Sequence, residues 1–198
     1  MTIVVAITGG IGSGKSTFSK EVVKRGFKLM DSDQEVAKIY KKPNKSFLNH
    51  LKRIGLEKSI KNKKINKKYI SDIVFSNKTT KYKLEKYIFK TIREKRKKFI
   101  EKQKKRKEEQ IFLDIPLLFE NNLNKDFNVV ISIISTKSKR YTRLKKSKKI
   151  TKTLFSKIIK NQTTDVVRKK YSDIIIYNND TMKSYQTKIN NLLISFKQ

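Results

Sequence analysis

Residues 9–16 read Gly-Gly-Ile-Gly-Ser-Gly-Lys-Ser, which has the spacing Gly-x-x-x-x-Gly-Lys-Ser. An apolar run at 3–7 precedes this segment, and a segment with a helical pattern at 16–24 follows it. A strand, a glycine-rich loop and a helix in this order are the context of a phosphate-binding loop. The loop, called the P-loop below, therefore predicts an α/β fold that holds the phosphates of a nucleotide at a helix N-terminus.

The residue types of the P-loop fit this chemistry. Its glycines allow backbone conformations that a β-carbon would block, so that successive N–H groups point at phosphate oxygens. Lys15 is expected to bridge the β- and γ-phosphates, and Ser16 to offer its hydroxyl to Mg²⁺. The predicted nucleotide-binding residues are Gly10, Ile11, Gly12, Ser13, Gly14, Lys15, Ser16 and Thr17.

Further apolar runs at 27–30, 111–115, 128–134 and 173–177 are suited to buried parallel strands. Helical patterns separate these runs, and this alternation indicates βαβ units with a largely parallel sheet. At the C-terminus, apolar residues from 182 to 196 recur on one helical face. This segment is predicted to be a helix that closes against the sheet.

The region between the second and third predicted strands has no strand-like run. Leu84, Ile88 and Ile92 recur there at every fourth residue, which predicts helix. We therefore expect one domain, 1–198, that carries an inserted helical subdomain at about 34–108. The stretch 101–110 has no apolar residue and is predicted to be a solvated helix end or a loop.

The formal net charge of +33 has two explanations. One is affinity for a polyanion such as nucleic acid. The other is the codon bias of an AT-rich genome, since Lys, Asn and Ile are abundant while Ala, Gly and Pro are scarce. The lysines are spread through nearly every segment, which favours the second explanation and argues against a nucleic-acid partner.

Cysteine is absent, which excludes disulfides and cysteine-based zinc sites and fits a reducing compartment. The first core strand begins at residue 3, so no N-terminal signal is expected. No apolar run approaches the ~20 residues of a membrane-spanning helix. The expected location is cytoplasmic.

Three carboxylates follow predicted strands. Asp31 and Asp33 come after the second strand, at the sheet edge where the P-loop is expected. A carboxylate there accepts the proton of an attacking hydroxyl or holds Mg²⁺ through water, or else caps the helix that starts near Gln34. Asp114 ends the third strand, either as a magnesium contact or as a turn residue before Pro116.

Arg140 and Arg143 follow the fourth strand among several lysines. Arginines on a mobile lid clamp a transferring phosphoryl group and exclude water. A solvated basic helix explains most of the lysines equally well. His50 is the single histidine and lies in a helical stretch, where we expect it to be a bystander.

Several separated motifs together resemble the dephospho-coenzyme A (dephospho-CoA) kinase family. The P-loop alone is shared by many proteins, but its combination with the other motifs is far more specific. The matching segments run from one end of the chain to the other: 8–17, Asp31-Ser-Asp33, Asp114-Ile-Pro-Leu-Leu-Phe-Glu120, Arg143-Leu144, Gln162, and Ser172-Asp173 leading to Asn178.

The resemblance implies a P-loop kinase-like, three-layer α/β fold with a five-stranded parallel sheet, a helical acceptor-binding insertion and a lid at about 139–165. It also implies transfer of the γ-phosphoryl group of ATP, with Mg²⁺, to the ribose 3′-hydroxyl of dephospho-CoA. The implied catalytic residues are Asp33 as base or orienting carboxylate, with Lys15, Arg140 and Arg143. Asn178 is placed near the adenine, and Pro116 and Leu117 near the acceptor.

The chain departs from the family pattern in the insertion and in the lid. A His-Pro pair is replaced by Phe89 and Lys90, and an Arg by Lys67. The Gln that usually begins the lid is Arg140, and a further lid Arg is Ser147. Lysine does not replace arginine at a bidentate phosphate contact, so a slower enzyme is expected unless Lys146 and Lys148 compensate.

Two other functions fit parts of the sequence. A nucleoside monophosphate kinase shares the P-loop and lid, but the Asp-Ser-Asp and Pro-Leu-Leu-Phe-Glu motifs do not suit it. A basic nucleic-acid-binding protein with a vestigial nucleotide site requires charge focused on one face, with interleaved aromatic residues if single strands bind. The charge of this chain is diffuse instead.

Overall fold

The structure is a computed structural model that describes residues 1–62, 64–148 and 150–197. The side chain of Lys148, one of the two lysines expected to compensate in the lid, lies outside the described part. The chain forms two compact units. One comprises Met1–Asp31 and Ile100–Gln198, here called the core unit, and the other comprises Ser32–Phe99, the helical unit.

A parallel sheet organises the core unit. Within the described residues it contains five strands: β1 (Ile3–Gly9), β2 (Lys28–Asp31), β5 (Gln110–Asp114), β6 (Val129–Ile134) and β7 (Ile174–Tyr177), numbered along the whole chain. Their order in the sheet is β2-β5-β1-β6-β7, and every neighbouring pair is parallel. The predicted five-stranded parallel sheet is confirmed, with strand ends shifted by one or two residues.

Helices follow the strands of the core unit, with the bounds α1 (Lys15–Lys24), α6 (Lys137–Lys148), α7 (Lys152–Lys160), α8 (Asp165–Tyr171) and α9 (Met182–Ser195). A short 3₁₀ turn, Asn124–Asp126, precedes β6. Apolar residues of α1 and α9 pack with those of the strands in one core. The predicted closing helix at the C-terminus is confirmed as α9. The core includes Val5, Ile7, Phe18, Val22, Phe112, Ile131, Ile133, Tyr185, Ile189 and Leu193.

The helical unit has its own apolar core. Its elements are α2 (Ser32–Lys41), α3 (Lys45–Arg53), a 3₁₀ turn (Glu57–Ser59), β3 (Ile60–Lys61), β4 (Lys64–Ile65), α4 (Lys67–Ser76) and α5 (Lys78–Lys105), which runs on into the core unit. The predicted repeat at every fourth residue lies in α5 and is buried. The core residues are Ile39, Phe47, Leu51, Leu56, Ile70, Leu84, Ile88 and Ile92.

One feature of this region differs from expectation. The antiparallel pair β3–β4 was not predicted, because two-residue strands are too short to show an alternating pattern. Helix α5 continues through 101–105, since Lys, Glu and Gln are good helix formers even without an apolar face. This agrees with the helix end expected for this stretch. The helical unit comprises Ser32–Phe99, and the expected bounds of the insertion, about 34–108, stay a prediction.

Side-chain caps define several helix starts. Asn44, Asn66, Thr151, Thr164 and Thr181 each accept a hydrogen bond from the backbone N–H three residues later. Such a cap stabilises a helix by ~1 kcal/mol because it satisfies an N–H group that has no partner within the helix.

A membrane-spanning helix, long and apolar enough to cross a bilayer, does not occur among the described residues. The cytoplasmic location expected from the sequence stays a prediction.

Candidate active site

The P-loop joins the central strand β1 to helix α1 at the carboxyl edge of the sheet. Gly14 has a φ of 110° and begins α1, and its carbonyl accepts the N–H groups of Thr17 and Phe18. Ser16 lies in the first turn of α1 with its side chain exposed. All of the predicted phosphate-binding residues therefore lie on the loop or on the first turn of the helix.

A buried carboxylate lies beside the P-loop lysine. The Nζ of Lys15 is 3.7 Å from Oδ1 of Asp114, and the hydroxyl of Ser19 donates to Oδ2 at 2.8 Å. Asp114 ends β5, and Asp31 is its partner in the register of β2 with β5. The structure thus brings Asp114 beside Lys15 of the P-loop, while its expected role as a magnesium contact, or alternatively as a turn residue before Pro116, stays a prediction.

A second set of side chains binds the P-loop at Ile11. The N–H of Ile11 donates to Oε1 of Gln162 at 2.9 Å, and the carbonyl of Ile11 accepts a hydrogen bond from Nε of Arg140 at 2.8 Å. Arg140 Nη2 lies 3.5 Å from the same Gln162 oxygen. Arg140 is 3% exposed, so its guanidinium is engaged with the loop. Its predicted role as a clamp on the transferring phosphoryl group stays a prediction.

Arg140 belongs to a network of charges in which the two arginines are buried and the two carboxylates are partly exposed. Its Nη1 is 3.8 Å from Oδ2 of Asp165, whose other oxygen accepts from Arg168 at 2.9 Å. Arg168 Nη2 is 3.5 Å from Oε1 of Glu120, which also accepts the N–H of Thr163 at 2.7 Å. Burial lowers the pKa of Arg140, and the charge of Asp165 opposes this shift. The two arginines and two carboxylates balance, which limits the cost of burying them.

A third set of contacts centres on Asn178, just after β7. Its Nδ2 donates to the carbonyl of Ser13 at 2.8 Å, while its Oδ1 and its backbone carbonyl accept hydrogen bonds from Nη2 of Arg143. Arg143 Nη1 also donates to Ser135 at 3.0 Å. The hydroxyl of Tyr185 donates to the carbonyl of Gly14 at 3.1 Å, and burial raises the pKa of Tyr185. The predicted position of Asn178 near the adenine is not tested by these contacts.

The helical unit contains a separate cavity of about 490 Å³. Asp33 lines it, together with Lys67 and Phe89, two of the positions where the chain departs from the family pattern. Lys67 lies over the ring of Tyr40, with its Nζ 5.3 Å from the ring centroid. The predicted catalytic carboxylate and these two positions therefore share one pocket, which is also lined by Val36, Ala37, Ile70, Ser71, Val74, Lys81, Leu84, Glu85 and Ile88.

Other predicted residues lie elsewhere. His50 stacks on Tyr87 at 4.3 Å between ring centroids and bonds to the carbonyl of Lys83. Burial lowers the pKa of His50. Ser147 donates to the carbonyl of Arg143 within its own helix. Leu117 is exposed, and its contact with an acceptor stays a prediction.

Sequence reasoning missed three residues of the site. Ser19 and Tyr185 lie in α1 and α9, where the helical pattern of the sequence predicts which residues are buried but not which polar contacts they make. Ser19 binds Asp114, and Tyr185 binds the carbonyl of Gly14. Arg168 is 2% exposed, yet in the sequence it is one basic residue among many. The sequence did carry a signal for Glu120, as part of the Pro-Leu-Leu-Phe-Glu motif, and the structure shows that Glu120 binds Arg168 and the N–H of Thr163. Among the residues described, no group of three or more His, Cys, Asp or Glu side chains is arranged to hold a metal ion.

Known proteins match this chain over nearly its whole length. The dephospho-CoA kinase family matches residues 3–184. A dephospho-CoA kinase of Fusobacterium nucleatum is 33% identical over 188 residues, which cover 94% of this chain and 95% of the relative. One of Lactobacillus acidophilus is 31% identical over 201 residues, covering 100% and 99%.

The solved structures agree. A structure of dephospho-CoA kinase from Campylobacter jejuni superimposes with a TM-score of 0.73 at 26% identity, covering 98% of this chain and 96% of that one. The family match, the two relatives and this structure agree with the resemblance seen in the separated motifs. The chain therefore belongs to the dephospho-CoA kinase family.

Proposed function

We propose that this chain transfers the γ-phosphoryl group of ATP to the ribose 3′-hydroxyl of dephospho-CoA. The observation that carries the proposal beyond nucleotide binding is the cavity of the helical unit, because it holds a carboxylate, Asp33, in a pocket of about 490 Å³. A carboxylate in a pocket of this kind is what phosphorylation of an alcohol requires.

The P-loop holds the donor in this proposal. Backbone N–H groups and the N-terminus of α1 bind the β- and γ-phosphates. Lys15 adds a positive charge, which stabilises the transition state more than the ground state because negative charge shifts as the phosphoryl group is transferred. The exposed hydroxyl of Ser16 and the carboxylate of Asp114 are hard oxygen donors, which suits Mg²⁺. When bound there, Mg²⁺ would neutralise charge on the phosphate oxygens.

Asp33 acts on the acceptor. Its carboxylate accepts a hydrogen bond from the 3′-hydroxyl and orients the oxygen toward the γ-phosphorus. It takes the proton as the new O–P bond forms, while the bond from the γ-phosphorus to the β-phosphate oxygen breaks and ADP leaves. Lys67 and Lys81 line the same cavity and supply positive charge for the phosphates of the acceptor. Tyr40 and Phe89 supply aromatic surface. Pro116 and Leu117, in the segment after β5, are proposed to contact the acceptor.

The test is ADP release by the purified protein with ATP, Mg²⁺ and either dephospho-CoA or a panel of nucleoside monophosphates. We expect turnover with dephospho-CoA alone. Lys15→Ala and Asp33→Asn are each expected to lower kcat by at least about 100-fold, since each removes a group that acts in the transition state. Asp72→Asn, which changes an exposed carboxylate of the helical unit, is the matched control and should keep full activity.

Three outcomes would contradict the proposal. Turnover with a nucleoside monophosphate would assign a different acceptor. Unchanged turnover in Asp33→Asn would remove the proposed role of this carboxylate. Absence of turnover together with salt-sensitive binding of DNA or RNA would favour the nucleic-acid alternative instead.

A further inference from the structure

Two carbonyls of the P-loop are bound by side chains from distant parts of the core unit. Arg140 donates to the carbonyl of Ile11 from 129 residues away, and Asn178 donates to that of Ser13 from 165 residues away. Neither contact belongs to a helix or strand ladder. Each contact requires a polar side chain to be ordered and buried, since Arg140 and Asn178 are both 3% exposed. A buried polar side chain with such a specific partner calls for an explanation.

The geometry of the peptide unit supplies one. The backbone of the described loop has no cis peptide bond, and in a trans peptide the C=O and the following N–H point in opposite directions. When Arg140 draws the Ile11 carbonyl to one side, the N–H of Gly12 points to the other. When Asn178 draws the Ser13 carbonyl, the N–H of Gly14 turns in the same way.

Between residues 11 and 14, the other two N–H groups already donate to acceptors within the protein. The N–H of Ile11 donates to Gln162, and that of Ser13 donates to the carbonyl of Gly10 at 3.0 Å. Along the loop, alternate N–H groups are therefore bound within the protein, while those of Gly12 and Gly14 are aimed away from the bound carbonyls. Alternate orientation of this kind forms a concave anion site.

The two donors are themselves held in place. Arg140 is paired with Asp165 and lies beside Gln162, so its Nε cannot turn away without breaking these contacts. Asn178 accepts from Arg143 at 3.0 Å, which fixes which end of its amide faces Ser13. A β-carbon on Gly10 would overlap the guanidinium of Arg140, and one on Gly14 would overlap Nδ2 of Asn178. The loop thus lacks side chains at the two points where its donors approach.

We propose that Arg140 and Asn178 are positioning residues that orient the N–H groups of Gly12 and Gly14 toward the phosphates of the nucleotide. They act through the loop backbone and do not touch the nucleotide in this role. The inference rests on the proposed binding of ATP phosphates in the P-loop. It departs from the expectation that Arg140 clamps the transferring group and that Asn178 lies at the adenine.

The test uses substitutions that keep the contact with Asp165 or Arg143 but remove the group that donates to the loop carbonyl, Nε of Arg140 or Nδ2 of Asn178. Arg140→Lys keeps a charge for Asp165 but loses the planar Nε donor. Asn178→Asp keeps the oxygen that accepts from Arg143 but places an acceptor against the Ser13 carbonyl. Arg140→Gln provides a second variant at the first position. The matched controls are Arg25→Lys and Asn190→Asp, because Arg25 Nε donates to Asn190 in the same unit at the far end of α1.

Two measurements follow. The Kd for ADP and the KM for ATP should rise about tenfold in Arg140→Lys and in Asn178→Asp, as expected for one misdirected hydrogen bond to a charged group. The KM for dephospho-CoA should change less than about twofold in the same variants. The controls should leave the Kd for ADP unchanged.

Amide NMR distinguishes positioning from general loosening. In the unaltered protein, ADP should shift the N–H resonances of both Gly12 and Gly14 downfield. Arg140→Lys should reduce the shift at Gly12 and spare Gly14, and Asn178→Asp should do the reverse. Equal loss at both glycines in either variant, or an unchanged Kd for ADP in both, would overturn the inference. Failure of the unaltered protein to bind ADP would instead refute the proposed function.

Discussion

Gly14 illustrates how much the site depends on single residues. It has a φ of 110°, which L side chains rarely adopt, and its missing side chain leaves room for the amide of Asn178. Tyr185 approaches from the same side. The glycine is therefore required twice, once for the backbone conformation and once for the close approach.

These two requirements can be separated by experiment. Gly14→Ala should impose the strain of a positive φ, ~1–2 kcal/mol, and should also displace Asn178, so that the Kd for ADP rises at least about tenfold. Gly26→Ala is the matched control, since Gly26 has a φ of 87° but no atom within 4 Å of an added β-carbon. Calorimetry should show a similar strain cost in both variants, with weaker ADP binding only in Gly14→Ala. Equal ADP affinity in the two would contradict the close-approach argument.

Helix α2 performs two tasks with two faces. One face carries Asp33, Val36, Ala37 and Tyr40, which line the cavity. The other carries Glu35, which accepts hydrogen bonds from Lys38 of the same helix at 2.6 Å and from Lys95 of α5 at 2.8 Å. The ion pair to Lys95 links α2 to α5, the helix that also contributes Leu84, Ile88 and Phe89 to the cavity wall.

The pH dependence of this link follows from Glu35. Burial raises its pKa, but the hydrogen bonds and charges of Lys38 and Lys95 outweigh burial, so the net pKa is lowered. A lowered carboxylate pKa stabilises the fold above the unfolded value of about 4.3, and this stabilisation is lost as pH falls through the folded pKa.

Glu35→Gln should therefore reduce the free energy of unfolding by ~0.5–1 kcal/mol at pH 7, because the lysines are partly exposed and screened. Thermal unfolding followed from pH 7 to pH 3 should show the difference from the unaltered protein shrinking at acid pH. Glu85→Gln is the control, since Glu85 and Lys81 are 3.9 Å apart and about half exposed. A constant difference across the pH range would show that the ion pairs are not the cause.

At the scale of the whole molecule, the large positive net charge affects stability. The chain has 50 lysines and arginines against 17 aspartates and glutamates, a net charge of +33, so most of its cationic side chains have no carboxylate to pair with one to one. Folding brings these charges closer together, so self-repulsion opposes the compact state. The network of the buried Arg140 and Arg168 with the partly exposed Asp165 and Glu120 is an exception, because its charges balance.

Salt should accordingly stabilise the protein. Raising NaCl from about 0.02 M to about 0.5 M shortens the screening length from over 20 Å to about 4 Å, and the Tm should rise by several degrees. The chloride salt is used for this experiment because sulfate or phosphate would also stabilise the protein by binding to the P-loop. Sucrose at equal osmolality controls for general exclusion effects. A Tm that stays constant or falls with NaCl would contradict this account.

Much of the fold could be predicted from local patterns. The five strands are short apolar runs that need burial on both faces, and the helices between them show the period of an α-helix, so neither depends on distant residues. The exception was the pair β3–β4, whose strands are too short to show a pattern. The P-loop was recognisable because a strand, a loop and a helix are consecutive in the chain.

The sequence by itself determined the parallel sheet, the phosphate-binding loop and, through separated motifs, the family. Only the tertiary structure decided which side chains hold that loop. It is bound by Arg140, Gln162 and Asn178, each more than 120 residues away along the chain. Arg168 likewise pairs with Glu120, although β6, α6 and α7 lie between them in the sequence. Such contacts leave no local periodicity, because the distance between two side chains is set by how strands are ordered in the sheet and not by their spacing along the chain.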